Sequence, residues 1–206
     1  MDAALIERML EVIERDIVPL TRRGVEGGNK LFGAAILRKS DGALVVAETN
    51  NETENPLWHG EMHALKRFYE LDPATRPEPR DCLFLATHEP CSLCLSGITW
   101  AGFNNFHYLF RYEDSRDSFA IPYDIEILRE VYAVPDPDRA EAPASRPLYN
   151  RRNKYWTSHG LLDALAALPE AERAVLDGRV ERIAATYREL SAIYQRDKGQ
   201  RGIPHA

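Results

Sequence analysis

Two short segments most constrain what this chain can fold into: His59-Gly60-Glu61 and, about thirty residues later, Pro90-Cys91-Ser92-Leu93-Cys94. Imidazole and thiolate suit zinc. Taken together, His59, Cys91 and Cys94 make three protein ligands and leave the fourth tetrahedral position open, the arrangement of catalytic rather than structural sites. Each segment opens a helix-like stretch that follows a strand or loop. Pro90 suits a first helical position. Cys91 and Cys94 then fall in the first turn, where free backbone N–H groups and the helix dipole favour thiolates.

The surrounding stretch PLWHGEMHAL holds a second histidine, His63, four residues after His59. This is not the HExxH pattern, in which the glutamate directly follows the first histidine. On the flank of a helix, at about 100° per residue, His59 and Glu61 point in nearly opposite directions. Side chains tilt toward a helix's N-terminus, however, so first-turn residues can converge on a metal just beyond it. That geometry selects His59 and Glu61 and leaves His63 one turn back, packed or supporting. A closed structural site would need a fourth ligand from Cys82, His63 or His88. Cys82 opens a strand ending near Thr87, which at about 3.3 Å per residue puts it ~16 Å from the strand's far end. Cys82 therefore reads as a small core residue. His88 adjoins the site with its direction open. Glu61 reads as a proton carrier, since zinc lowers the pKa of water bound to it to about 7 and a positioned carboxylate can take up that proton.

A chain of 206 residues supports one sizeable core with an appended helical piece. Hydrophobic residues at 44% and charged residues at 28% argue against a disordered or fibrous chain. The N-terminal MDAALIERMLEVIERDIVPL mixes acids with apolar residues, so it fits neither a signal nor a transit peptide. No apolar run approaches the ~18 residues of a membrane span, and the expected location is cytoplasmic, without a membrane partner. Three cysteines, an odd count, favour metal or redox chemistry over a disulfide framework. A net charge of -6 favours a small-molecule partner over a large nucleic-acid surface.

Leu5, Met9, Val12, Ile13, Ile17 and Leu20 are spaced as a first helix, with Gly24, Gly27 and Gly28 as breakers. LFGAAILRKSDGALVVAETNN reads as two strands joined at Asp41-Gly42. Residues 59 to 70 are helix-like, DCLFLAT is a buried strand, CSLCLSGITWAGF a helix, FHYLFRY a strand and IPYDIEILREVYAV a helix. Trp100 and Phe103 read as core. The alternation predicts an α/β layered sheet. Three spans follow: a domain over 1–134, an irregular basic and aromatic insertion over 135–160, and a helical extension over 161–206. The extension carries a stripe of Leu176, Val180, Ile183, Tyr187, Leu190 and Tyr194 that packs on the core or on a second subunit.

With H-x-E and P-C-x-x-C in place, the chain resembles the cytidine deaminase superfamily, more closely its branch of guanine deaminases and tRNA adenosine deaminases. The matching stretches are LFGAAIL, ETNN, HGEMHAL, ATHEPCSLCLSGITWA and DSF, over roughly residues 30 to 120. The resemblance implies a three-layer α/β/α sandwich with a mixed sheet of about five strands and one Zn2+ per chain at two helix N-termini. It implies hydrolytic release of ammonia from an aminated nucleobase or nucleoside, with a guanine-like purine favoured by CLSGITWA and DSF, water as cosubstrate and a homodimer as the assembly. By the same resemblance Asn50 binds substrate and Asp117 reads the base edge, whereas on their own they read as a turn residue and a solvated one. Gly60 stands where the family usually has alanine and Trp58 where it has a small residue, so both are expected at the substrate pocket.

Three alternatives stand beside this reading. A tRNA adenosine deaminase draws support from Arg146, Arg151, Arg152 and Lys154 interleaved with Tyr149, Tyr155 and Trp156, a pattern that can hold a backbone and stack bases. A cytosine, cytidine or aminotriazine deaminase would use the same chemistry. A non-catalytic zinc-binding interaction module is opposed by the presence of Glu61.

Overall fold

The computed structural model describes residues 2–132, 149, 151–152 and 156–197. Of the expected insertion over 135–160, residues 135–148, with Arg146, and 150 and 153–155, with Lys154 and Tyr155, lie outside them, as does the end of the extension from 198 to 206.

The chain opens with α1 (Ala3–Val12), which runs through a π-helical turn, Ile13–Ile17, into α2 (Val18–Glu26). Pro19 lacks an N–H and its ring would clash with the carbonyl four residues back, and the wider turn lies just ahead of it. The helical run passes Gly24, expected as a breaker, because that glycine lies against β2: a Cβ there would meet Thr49 Cγ2 at 3.0 Å. The run stops instead at Gly27 and Gly28, the latter at φ 94°.

Five strands form one sheet: β1 (Gly33–Arg38), β2 (Leu44–Thr49), β3 (Cys82–His88), β4 (Asn105–Phe110) and β5 (Thr157–Gly160), in the order β2-β1-β3-β4-β5. The hairpin at Asp41-Gly42 makes β1 and β2 antiparallel, and β1 also pairs antiparallel with β3. From β3 the chain crosses through α4 (Ser92–Trp100) to β4, which is parallel to β3, and β5 is parallel to β4. The sheet is therefore mixed, as the resemblance implies. β5 carries no hydrophobic alternation, so nothing in its four residues announces a strand; pairing Phe106 with Ser158 and Asn105 with Thr157 forms it.

Strand alternation divides the core between the two faces. Ala35, Leu37, Leu85 and Leu109 face α1, α2, α7 (Leu161–Ala166) and α8 (Glu170–Asp197). Ala34, Ile36, Phe84, Ala86, Phe106 and Tyr108 face α3 (Gly60–Glu70) and α4. The stripe on α8 lies on this chain's own core: Leu176, Ile183, Tyr187, Leu190 and Tyr194 are buried in the first cluster. Two helices, α5 (Tyr112–Asp117) and α6 (Tyr123–Tyr132), follow β4. Phe103 is core at 1% exposed, but Trp100 stands 91% exposed, because it falls on the outward side of α4. Among the described residues no helix is long and apolar enough to cross a membrane.

Candidate active site

Antiparallel β1 and β2 and the parallel β3–α4 crossover bring two helix starts to one place. His59 is the N-cap of α3 and Cys91 the N-cap of α4, both in extended backbone (φ −61°, ψ 160° and φ −64°, ψ 171°). Pro90 thus precedes the cap instead of opening the helix, while Cys94 and Glu61 sit in the first turns. Cys91 Sγ lies 3.4 Å from His59 Nδ1, Cys94 Sγ 3.7 Å from the same nitrogen, and the two sulfurs are 3.5 Å apart. A tetrahedral zinc with bonds of about 2.3 Å to sulfur and about 2.0 Å to nitrogen separates its ligands by roughly 3.5–3.8 Å. The three atoms therefore already span one face of such a tetrahedron. His59, Cys91 and Cys94 are the one group of metal-binding type among the described residues.

Electrostatics agree with this geometry. The Cys94 thiol beside it, then the His59 ring, hold the Cys91 thiol well below its usual range, while burial raises that of Cys94. Burial alone would lower the pKa of His59, but Cys91, Glu61 and Glu52 together raise it to about 9. So much negative charge around one histidine favours a bound cation. Glu61, 4% exposed, has its carboxyl raised to about 7, first by burial and then by Cys91.

Asn50 follows β2 directly and is 1% exposed. Its Oδ1 accepts the Gly60 N–H at 2.6 Å, and its buried Nδ2 has no partner among the described residues. Gly60 is dictated by close approach: a Cβ would meet Gly33 Cα at 2.7 Å and Phe32 O at 2.8 Å, where the start of α3 presses on the start of β1. Close backbone approach thus calls for glycine at this position.

The remaining expectations fare differently. Trp58 stacks on His63 (ring centroids 5.7 Å apart, planes 5° apart) with Lys66 Nζ 4.8 Å from its ring centre, so the flank of α3 takes it up. His63 itself faces Thr49 O at 3.0 Å and Glu48 at 3.3 Å, one turn away from the ligand atoms. Asp117, expected at the base edge, ends α5 with its side chain 61% exposed and paired to Arg116 at 2.6 Å. A charge on an exposed helix end is satisfied by its neighbour and by water, and nothing turns it inward. Cys82 is buried at the far end of β3. His88 is buried among Phe32, Phe110, Phe119 and Tyr187, with Nδ1 2.9 Å from Thr87 Oγ1. Burial drives its pKa down to about 3, so it is a neutral core residue.

Several residues near the site escape a sequence reading. Asp124, near the start of α6, feels the charges of Cys91, His59, Glu61 and Lys30, and burial first, then Cys91, raises its carboxyl to about 7. Glu89, next to Pro90, is buried and accepts the hydroxyl of Tyr149, with Arg151 at 3.6 Å; Tyr112 donates its hydroxyl to Pro90 O. Trp156 Nε1 donates to Thr99 Oγ1 at 2.6 Å. Thus Tyr149 and Trp156 of the basic and aromatic stretch pack in the second core cluster, while Arg151, half exposed, faces Glu89 and Asp163. Acids in a polar, charge-mixed sequence give no sign of which will be buried; only the fold decides.

Comparison with known proteins gives consistent results. A family model described as the cytidine and deoxycytidylate deaminase zinc-binding region matches residues 11–110. A guanine deaminase of Bacillus subtilis (strain 168) is 30% identical over 117 residues, covering 52% of this chain and 69% of that protein. Among solved structures, a guanine deaminase from Nitrosomonas europaea superimposes with a TM-score of 0.52 at 20% identity, covering 91% of this chain and 84% of its own. A mutant protein crystallised with 8-azaguanine superimposes with a TM-score of 0.55 at 21% identity, covering 92% and 87%.

Proposed function

The chain belongs to the cytidine deaminase superfamily, as a zinc-dependent hydrolytic deaminase, and we propose that its substrate is a guanine-like purine base. The observation that carries the substrate class is the likeness to the Bacillus subtilis guanine deaminase, and the zinc-binding region matched over residues 11–110 contains the ligand cluster, Glu61 and Asn50. In this proposal residues 1–134 carry the deaminase domain, residues 135–160 form an insertion whose last four residues return to the domain's sheet as β5, and 161–206 form a helical extension.

His59 Nδ1, Cys91 Sγ and Cys94 Sγ would hold the metal. When bound there, zinc supplies Lewis-acid activation of water, whose pKa falls toward ~7. Glu61 carries the protons. Its carboxylate takes one from the attacking water and passes it to the ring nitrogen as oxygen adds to the carbon that bears the amino group. It then takes the proton of the newly added hydroxyl and gives it to the departing amine, so that the carbon–nitrogen bond breaks as the oxo group forms. The overall change is substrate plus water to the oxo-base plus ammonia. A carboxyl titrating near neutrality can both accept and release a proton at cellular pH, which is what this task needs.

Asn50 binds the base. Its Oδ1 is committed to Gly60, which leaves the buried Nδ2 to donate to a ring acceptor. Gly60 lets α3 approach β1 closely enough to hold Asn50 and Glu61 side by side. For the base edge that presents N–H groups we propose Asp124 in place of Asp117, because Asp124 shares the site's electrostatic surroundings and Asp117 is held outside by Arg116. Trp58 is assigned a packing role on α3. A homodimer in the cytoplasm completes the reading, and the exposed Trp100 on α4 is the kind of surface a second copy would cover.

The test is ammonia release by zinc-loaded protein from a panel of guanine, adenine, cytosine, their nucleosides, aminotriazines and tRNA. Guanine or a close analogue is expected to be the preferred substrate. Preference for adenosine within tRNA would overturn the purine-base reading, and silence on the whole panel would count against catalysis.

A further inference from the structure

Glu52 stands in the loop between β2 and α3 with its side chain 1% exposed, and no step above uses it. Its Oε2 accepts the backbone N–H of Lys30 at 3.0 Å and its Oε1 lies 2.8 Å from Lys30 Nζ, itself 10% exposed at the side chain. The same Oε1 is 4.0 Å from His59 Nε2. His59 is thus faced on one edge by two sulfurs, through Nδ1, and on the other by a buried carboxylate.

A buried ion pair is a poor stabiliser on its own, since removing two charges from water can cost more than their attraction returns. The place of this pair points to a different role. An imidazole can ligate a metal through Nδ1 only when its proton sits on Nε2, and a carboxylate behind the ring favours that tautomer and raises the ring's basicity. At 4.0 Å Glu52 acts on Nε2 through its charge; the separation is beyond a hydrogen bond. Lys30 makes the arrangement affordable. A bare carboxylate would add to the negative charge of two thiolates and Glu61, whereas the Lys30–Glu52 pair presents an oriented acceptor of nearly zero net charge.

We propose that Glu52, clamped by Lys30, is a positioning residue for His59: it fixes the tautomer and ring orientation that offer Nδ1 to the metal, and so sets the metal affinity. The inference rests on the ligand role given to His59 above.

The experiment measures zinc affinity by chelator competition and records the absorption spectrum of the cobalt(II)-substituted protein for wild type, Glu52→Gln and Glu52→Asp. Glutamine keeps an acceptor for the Lys30 N–H and so preserves the loop contact, but it removes the charge facing His59. Glu52→Gln is expected to bind zinc about 10- to 100-fold more weakly and to shift the cobalt bands. Glu52→Asp, which restores the charge, is expected to recover part of the affinity. A merely structural role would lower thermal stability without moving the cobalt spectrum. Wild-type affinity together with an unchanged cobalt spectrum in Glu52→Gln would overturn the inference. Should that variant not fold, zinc-loaded wild-type protein with 15N-labelled histidine decides: a His59 Nε2–H proton protected from solvent exchange supports the role, and one exchanging too fast to observe overturns it. Wild-type protein that binds no zinc would overturn the metal reading along with this one, whereas zinc binding indifferent to Glu52 overturns this one alone.

Discussion

Asn50 Oδ1 accepts the backbone N–H of Gly60 at 2.6 Å, which ties the residue that leaves β2 to the residue that opens α3. The bond turns the rest of the Asn50 amide into a fixed donor beside Glu61. Asn50→Asp keeps the acceptor for Gly60 but loses the donor and brings a second carboxylate close to Glu61. It is expected to keep its fold by circular dichroism while kcat/KM for the preferred base falls about a hundredfold or more, the scale of losing one oriented donor in a buried site.

Glu61→Gln separates proton transfer from metal binding. The side chain is nearly isosteric and none of the three ligand atoms belongs to it. Metal analysis is expected to return the wild-type zinc content, and ammonia release is expected to fall by about 10²- to 10⁴-fold. An active Glu61→Gln would remove Glu61 from the mechanism.

Gly60→Ala tests the close approach of α3 to β1. Its Cβ would lie 2.7 Å from Gly33 Cα and 2.8 Å from Phe32 O, both backbone atoms that cannot swing aside. The expected loss is about 1–3 kcal/mol of stability, read from the urea midpoint, with weaker zinc binding as His59 is displaced. A variant as stable as wild type would mean that the two elements separate freely.

His88 makes stability depend on acidity. Its pKa is about 3 in the folded protein against 6.5 in the unfolded chain, so below pH 6.5 the unfolded state binds more protons. The contribution is fully present above pH 6.5 and is lost as pH falls toward 3. Between pH 7 and pH 5 the loss is about 2 kcal/mol. His88→Gln is expected to flatten that part of the urea-stability profile; an unchanged slope would show that His88 already takes up a proton in the folded state.

Much of this site was legible in the sequence because its chemistry is local. H-x-E and P-C-x-x-C each lie within one turn of a helix start, and first-turn geometry alone picks His59 over His63. The Asp41-Gly42 turn was legible for the same reason, with Gly42 at φ +67°. What the sequence hid depends on distant pairing. Lys30 and Glu52 are unremarkable loop residues until the α2–β1 and β2–α3 loops are laid together, with Thr53 N–H bonded to Asn29 Oδ1 at 2.9 Å. Thr157–Gly160 becomes a strand only because β4 offers it an edge. Asp117 and Asp124 look equivalent in sequence, and only the fold shows that Asp117 ends α5 exposed and paired with Arg116.

Hydrolysis of a guanine-like base at this site is tested most directly by incubating zinc-loaded protein with guanine in 18O-water and weighing the purine product. The account predicts one 18O atom in each oxo-purine, one ammonia released for each, and both formed at least about a hundredfold more slowly by Glu61→Gln. Guanine returned unchanged by protein with a full complement of zinc, or a product without the label, would contradict it.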